Sequence, residues 1–333
     1  MKKILRYCII AGIAALVLSG VVFARSLQPI EGSDERQTFV VRAGESLADI
    51  ARRLQNEGLV RSAASFRWYS LFAGSAHTVK PGAYRISSSE SAVRIAEKLA
   101  KGPEDVTVVI PEGATLRDIA RLLAANGILQ EGAVEQLPPA GFSEQYPFLK
   151  NRKSLEGFLF PDTYKFAPQS EATVVVKKML DNFAAKAYPL LRAAGSALYE
   201  TLIIASLVEK EVPDVADDRA IVSGIILRRL RIGMGLQIDA TVLYAKCASA
   251  LFTCASPRLA REDYAIASPY NTYAHAGLPP TPIANPGIDA IRAAINPKET
   301  DYLFYLSDPK TKRTIFSKDF EEHNEQRAKY LGL

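Results

Sequence analysis

The amino-acid sequence predicts an α+β protein, in which an apolar N-terminal helix precedes a small α+β module and a larger α+β domain. Three observations support this prediction: a charge-free run near the N-terminus, an internal repeat that alternates strand and helix signals, and a buried-helix pattern that ends abruptly in charged residues. A chain of 333 residues with 48% hydrophobic residues is long for one core, so two or three domains are expected.

The first residues indicate a membrane-inserted helix. The basic stretch MKKILR precedes a run over 7–24 that contains no charged residue, and this order is typical of a membrane span with its N-terminus in the cytoplasm. A cleaved signal peptide is the alternative, because VFA at 22–24 resembles a cleavage site. We favour the uncleaved anchor.

Under both interpretations the rest of the chain is exported to an oxidising compartment. Cys247 and Cys254 could form a disulfide there, and two free thiols are the alternative.

Composition narrows the classes of partner. A net charge of +5 and a pI near 8.9 are mildly basic, which favours an anionic polymer or a membrane surface over nucleic acid. The sequence has no CxxC pair and no His-rich spacing, and its histidines are scattered. We therefore expect no metal and no cofactor.

Two segments repeat each other. FVVRAGESLADIARRLQNEGLV from Phe39 aligns with VVIPEGATLRDIARLLAANGIL from Val108. Each copy predicts a strand, a Gly turn, a Ser or Thr N-cap, an amphipathic helix and a Gly C-cap. The copies are similar to LysM-type units, which in their family bind peptidoglycan glycan strands, and a structural spacer is an equal alternative. Trp68, Tyr69 and Phe72, after the first copy, are expected in the core rather than on a sugar-binding surface.

The stretch TLIIASLVEKEVPD at 201–214 is the most informative one. Its apolar first half is followed at once by Glu209, Lys210 and Glu211, and Pro213 then ends any helix. Partial burial and the negative end of the helix dipole both raise the pKa of a carboxyl group in such a position. This setting suits a general acid. The alternative is the solvated end of a core helix.

Later segments add polar residues that a sugar site would use. The run YNTY at 270–273 combines hydrogen-bonding groups with aromatic faces, and several prolines brace the loop that follows. A sugar ring offers hydroxyls at its edge and C–H bonds on its face, so this mixture favours a sugar site over a braced surface loop. Arg228, Arg229 and Arg231 are expected on the solvated face of the preceding helix.

Together these motifs resemble the YceG-like family, the MltG-type endolytic murein transglycosylases, which are membrane-anchored cell-wall enzymes. LEGFLFPDTY, ASLVEKE, RLRIGMGLQIDATVLYA, YNTYAHAGLPPTPIANPG and FSKDFEEHN follow the family's motifs in order. The resemblance implies cleavage of the MurNAc-β-1,4-GlcNAc bond within glycan strands without water, which leaves 1,6-anhydro-MurNAc ends. It also implies an inner-membrane anchor, a periplasmic catalytic domain and strand termination near peptidoglycan synthases.

The resemblance places Glu209 at the family's catalytic position, with Glu211 as the alternative acid. One carboxyl group suffices, because the sugar's own C6 hydroxyl replaces water as nucleophile, whereas an ordinary glycosidase uses two carboxyl groups. The positions carried over for substrate binding or charge stabilisation are Gln237, Asp239, Tyr270, Asn271, Thr272 and Glu211. The sequence departs from the family at Ala240, where a proline is usual.

Two alternatives to this function stay open at the level of sequence. One is a non-catalytic peptidoglycan-binding scaffold, and the other is a hydrolytic muramidase that uses Glu209 with Asp239. The predicted divisions of the chain are a cytoplasmic N-terminus at 1–6, a transmembrane anchor at 7–24, a linker at 25–37, a LysM-like module at 38–152 and a catalytic domain at 153–333.

Overall fold

The structure, a computed structural model, describes residues 2–30, 35–42, 44–193, 195, 197–212, 216–252, 254–311 and 313–332, with the side chains of 2–9, 77 and 216 left out. Pro213, predicted to end the central helix, lies outside the described residues. The helices are α1 (Lys2–Ser26), α2 (Leu47–Asn56), α3 (Ala63–Phe72), α4 (Ala92–Lys101), α5 (Leu116–Ala125), α6 (Ala172–Lys186), α7 (Tyr188–Ala193), α8 (Leu198–Glu211), α9 (Ala216–Arg231), α10 (Asp239–Lys246), α11 (Ile288–Ile295) and α12 (Phe320–Leu331). The strands are β1 (Arg36–Val41), β2 (Gly82–Ser87), β3 (Val106–Val109), β4 (Thr163–Phe166), β5 (Phe304–Ser307) and β6 (Thr314–Ser317).

These elements confirm the predicted α+β class. Short two-stranded sheets pair β1 with β2, β3 with β4 and β5 with β6, and helices make up most of the remaining regular structure. The chain divides into two compact units, one of residues 1–106 with 166–170 and one of residues 107–165 with 171–333.

The N-terminal run forms the helix α1. The predicted span over 7–24 begins among residues whose side chains the structure does not describe. Within the described part of the chain, no helix combines the length and the apolar character needed to cross a membrane.

The first unit packs the helices α2, α3 and α4 against a two-stranded antiparallel sheet. Strand β1 pairs with β2 so that Phe39 lies opposite Tyr84, and both side chains are buried in the core with Ile50 of α2. The predicted core position of the aromatic residues after the first repeat copy is wrong for two of them. Trp68 is 56% exposed and Phe72 is 81% exposed, because α3 turns its opposite face, with Phe66, toward the core.

Both repeat copies adopt the predicted local structure, but they belong to different units. Gly44 and Gly113 have φ values of 77° and 74°, which an L side chain rarely adopts. The second copy is tied into the second unit by Thr115, whose Oγ1 donates to the carbonyl of Ser249 at 2.5 Å, and by the N–H of Gly113, which donates to the carbonyl of Asn285 at 3.0 Å. The division between units therefore lies near residue 106, whereas the sequence alone places it after 152.

Helix α8 is the centre of the second unit. Every residue from 202 to 208 is buried, and α8 packs against α11, α9, α7 and α10. Helix α9 runs beside it, and Arg229 on α9 is buried rather than solvated as predicted. Its guanidinium donates to the carbonyl of Leu303 at 2.7 Å and to that of Leu236 at 2.6 Å, so it joins α9 to the segment before β5.

Candidate active site

The last turn of α8 carries two carboxyl groups in different surroundings. Both oxygens of Glu209 are bonded inside the protein: Oε1 lies 3.1 Å from Nη2 of Arg219 on α9, and Oε2 accepts from the backbone N–H of Gly287 at 2.9 Å. The side chain is only 6% exposed. Gly287 directly precedes α11, so Glu209 links α8 to α9 and to the beginning of α11. This arrangement leaves little of the carboxylate for a ligand.

Glu211 lines a cavity of about 270 Å³ on the other side of the helix. Its Oε2 accepts a hydrogen bond from the hydroxyl of Tyr305 on β5 at 2.9 Å. Burial raises the pKa of Glu211 to about 7, against the opposing effect of the Tyr305 hydrogen bond. The charge of Asp239 raises that pKa further, and Arg229 lowers it. Glu211 can thus hold a proton near neutral pH and release it.

Asp239 lines the same cavity from the first turn of α10. Its Oδ1 accepts from the hydroxyl of Tyr273 at 2.7 Å. Tyr264 packs edge-on against Tyr273, with ring centroids 4.7 Å apart. Burial, followed by the contact with Asp239, raises the pKa of Tyr273, so its hydroxyl stays a donor. The structure therefore places an exposed carboxylate, held by a tyrosine, beside Glu211.

Two of the predicted substrate residues hold the loops instead. The side chain of Asn271 is buried, and its Nδ2 donates to the carbonyls of Tyr264 and Ile266 at 2.9 and 3.0 Å. Thr272 is also buried, and its Oγ1 accepts from the N–H of Ile238 at 2.9 Å. These contacts fix the segment that carries Tyr273.

The remaining two predicted residues lie outside the cavity lining. Gln237 is exposed and has a φ of 50°, an uncommon value for a residue other than glycine, and its N–H donates to the carbonyl of Thr272 at 3.2 Å. The hydroxyl of Tyr270 shares a hydrogen bond of 2.9 Å with Thr281, and its ring tilts against Tyr244. Of the predicted set, the cavity therefore brings together Glu211 and Asp239.

A disulfide joins Cys247 to Cys254, with the two Cα atoms 5.3 Å apart. Both cysteines line the cavity, together with Leu251 and Phe252 of the loop between them. The sequence suggested this pairing as one of two outcomes, but gave no sign that the loop would form a wall beside Glu211.

A third carboxyl group, that of Glu156, is buried in the same unit. Glu156, from the LEGFLFPDTY motif, accepts hydrogen bonds from the N–H of Leu116 at 2.8 Å, the hydroxyl of Tyr244 at 3.0 Å and Nδ2 of Asn285 at 3.1 Å. Its burial raises the pKa to about 8. These bonds connect α5 and α10 to the segment that precedes α11.

Sequence reasoning missed Tyr305 and the buried role of Arg229. Tyr305 lies 94 positions from Glu211 and carries no motif that would mark it. Arg229 stands in an arginine-rich run that resembles a solvated helix face. A partial signal existed for Tyr273, which is the last residue of the YNTY run. Among the described residues, no cluster of three or more His, Cys, Asp or Glu side chains is arranged to hold a metal ion.

Fold and site define an α+β protein with a titratable carboxyl group at the end of a buried helix, beside an open cavity. The model of the YceG-like family matches residues 39–329, so the chain belongs to that family.

Similar proteins cover most of the chain. It is 31% identical over 340 aligned positions to an endolytic murein transglycosylase of Bacillus subtilis (strain 168), covering 95% of this chain and 92% of the relative. An endolytic murein transglycosylase of Streptococcus pneumoniae serotype 2 is 29% identical over 92% of this chain, which spans 61% of that longer protein. The crystal structure of a yceG-like protein from Listeria monocytogenes superposes with a TM-score of 0.58 at 31% identity, covering 88% of this chain and 100% of that one.

Proposed function

We propose that this protein is an endolytic murein transglycosylase, which cleaves the MurNAc-β-1,4-GlcNAc bond within peptidoglycan strands and leaves 1,6-anhydro-MurNAc ends. Family membership and relatives that carry this name support the proposal. The main structural observation in its favour is that Glu211 lines an open cavity and has a pKa raised to about 7. An acid with this pKa is suited to donate and accept a proton at neutral pH.

The reaction then needs one acid/base group. Protonated Glu211 donates its proton to the glycosidic oxygen as the bond to C1 of MurNAc breaks, and the GlcNAc chain leaves with that proton. The C6 hydroxyl of the same MurNAc attacks C1, and ionised Glu211 accepts the hydroxyl proton. The enzyme returns to its starting state without consuming water. Asp239, a carboxylate held by Tyr273, would stabilise positive charge that develops at the sugar ring.

We assign the acid to Glu211 rather than to Glu209, which the family resemblance favoured. Residues two apart on a helix face different directions, so only one of the two can face the cavity. Glu209 has both oxygens engaged, with Arg219 and with the N–H of Gly287, and it is not part of the cavity lining. Glu209 would thus hold α8, α9 and α11 in place.

Mass spectrometry of glycan fragments tests this function. The full chain in detergent is incubated with peptidoglycan, alongside Glu211→Gln and Glu209→Gln variants. We expect internal anhydro-ended fragments from the wild type and none from Glu211→Gln. Reducing ends in place of anhydro ends would identify a muramidase. Binding without fragments would favour a non-catalytic scaffold, and loss of cleavage in folded Glu209→Gln alone would return the acid to Glu209.

We also propose that α1 anchors the protein in the inner membrane, with both units in the periplasm near peptidoglycan synthases. Large apolar side chains are exposed along the described part of this helix, a costly arrangement in water. Those side chains are Ile10, Ile13, Leu16, Val17, Leu18, Val21 and Val22. Resistance of the membrane-bound protein to carbonate and high-salt extraction is expected, and release by either treatment would contradict the anchor.

The first unit is proposed to bind glycan strands in the manner of LysM-type modules. Trp68 and Phe72 stack with ring centroids 5.7 Å apart, and both are exposed. Two adjacent exposed aromatic rings offer apolar faces to the C–H bonds of sugars. The double variant Trp68→Ala and Phe72→Ala should lower affinity for purified glycan strands, and unchanged affinity would favour the spacer reading.

A further inference from the structure

We propose that the disulfide-bonded loop, of which the structure describes residues 247–252 and 254, is a sugar-binding wall of the candidate active site and that Phe252 stacks on one ring of the glycan strand. This inference rests on the proposed function and adds a subsite to it. It concerns a loop that the sequence resemblance left without a role.

Phe252 lies in the lining of the cavity, where a bound ligand would contact its ring. It lines the cavity that also contains Glu211 and Asp239, yet 48% of the residue is exposed. The ammonium group of Lys210 lies 5.6 Å from the centre of the ring. A large aromatic side chain that stays exposed beside an acid/base carboxyl group offers an apolar face next to polar groups, which is the mixture that a sugar ring requires.

The loop is held by groups from a distant part of the chain. The N–H of Phe252 donates to Oδ1 of Asp118 at 2.9 Å, and Asp118 is buried in α5. The carbonyl of Ser249 accepts from Oγ1 of Thr115 at 2.5 Å. The disulfide between Cys247 and Cys254 then closes the loop covalently. A buried carboxylate that bonds a loop amide fixes the place at which the aromatic ring emerges.

Backbone geometry also indicates that the loop is constrained. Ala248 and Ser249 have φ values of 47° and 61°, in the left-handed region that residues other than glycine seldom adopt. Such conformations persist only where the surroundings determine them, and they concentrate at ligand-binding sites. A loop fixed before binding loses less conformational entropy when a ligand arrives, so the aromatic contact contributes more of its energy to affinity.

The test measures affinity and kinetics on purified, uncrosslinked glycan strands. In a Glu211→Gln background, Phe252→Ala should weaken binding about tenfold, and in the active protein it should raise KM by a similar factor with kcat changed less than about twofold. Phe252→Trp should restore both values. Phe320→Ala removes a phenylalanine that is exposed but lies outside the cavity lining, and it should leave both values unchanged.

A second experiment tests whether the loop contributes to substrate binding through Phe252. The double substitution Cys247→Ser and Cys254→Ser should raise KM, and it should add little to the effect of Phe252→Ala, because both changes remove the same contact. Equal binding by the wild type and a folded Phe252→Ala variant would overturn the inference, as would fully additive effects of the two changes. Because binding is read in the Glu211→Gln background, an absence of cleavage in the wild type would count against the proposed function alone.

Discussion

Tyr305 donates its hydroxyl hydrogen to Glu211 over 2.9 Å, and this contact joins β5 to the last turn of α8. A phenol that donates to a carboxylate stabilises the ionised form, whereas burial destabilises it. The balance of these effects leaves the pKa of Glu211 at about 7. A carboxyl group without the tyrosine would stay protonated to higher pH, so it would be a weaker acid in the first half of the reaction.

Replacing Glu211 with Gln should abolish cleavage without unfolding the protein. The amide keeps the shape of the side chain but cannot transfer a proton, and loss of a general acid typically lowers the rate by about 10²–10⁴-fold. Because the substitution also removes a buried ionisable group, the Tm at pH 7 should be unchanged or higher. Fragment release and thermal unfolding measured on the same preparation check both statements, and full activity would contradict the assignment.

Replacing Glu209 with Gln should lower the stability of the protein but preserve its cleavage activity. The change weakens a buried ion pair with Arg219, and breaking a buried pair costs about 3 kcal/mol or more. For a unit of this size the Tm should fall by roughly 10 °C. Below that Tm the folded fraction should still cleave peptidoglycan to anhydro ends. An inactive variant with the Tm of the wild type would show that Glu209 takes part in the chemistry.

Replacing Tyr305 should shift the alkaline limb of the pH profile of kcat/KM. Glu211 must begin the reaction protonated, so kcat/KM should fall as pH rises through about 7. The Tyr305 hydrogen bond lowers the pKa of Glu211, and Tyr305→Phe should therefore move the limb to higher pH. Tyr302→Phe is the matched control, because Tyr302 stacks on Phe316 and is not among the groups that shift this pKa. A limb that stays in place, or moves to lower pH, would contradict the role of Tyr305.

The sequence predicted most of the local structure and singled out the stretch that contains both candidate acids, but it did not predict which of these carboxyl groups faces the cavity. Glycine turns and Ser or Thr caps are local signals, so both repeat copies were predicted correctly as strand, turn and helix. The choice between Glu209 and Glu211 depends on the rotation of α8 against its neighbours. That rotation is set by contacts distant in sequence, such as those of Arg219 and Tyr305, which no short motif encodes.

The same reason explains why the two compact units divide near residue 106 and why Arg229 is buried. Thr115 belongs to the second repeat copy, but it bonds Ser249, 134 positions later. The guanidinium of Arg229 donates hydrogen bonds to the backbone carbonyls of Leu236 and Leu303. A pattern of side chains in the sequence does not reveal such backbone partners. Long-range hydrogen bonds of this kind decide which elements share a core.

Glu156 should make the stability of the protein depend on pH. Burial raises its folded-state pKa to about 8 from a usual value of 4.5. The folded protein therefore holds a proton that the unfolded chain releases, so this contribution to stability is complete below pH 4.5 and is lost progressively as pH rises to about 8. Glu156→Gln resembles the protonated form, because its amide can still bond Tyr244 and Leu116.

The Glu156→Gln variant should therefore show a flatter curve of Tm against pH than the wild type. At pH 5 the two Tm values should be close, and at pH 8 the variant should be more stable by about 3 °C or more. Glu325→Gln, at an exposed position on α12, is the matched control and should follow the wild type throughout. Thermal unfolding at several pH values between 5 and 8 measures this difference. A gap between variant and wild type that stays constant with pH would show that Glu156 keeps the same charge in the folded and unfolded states.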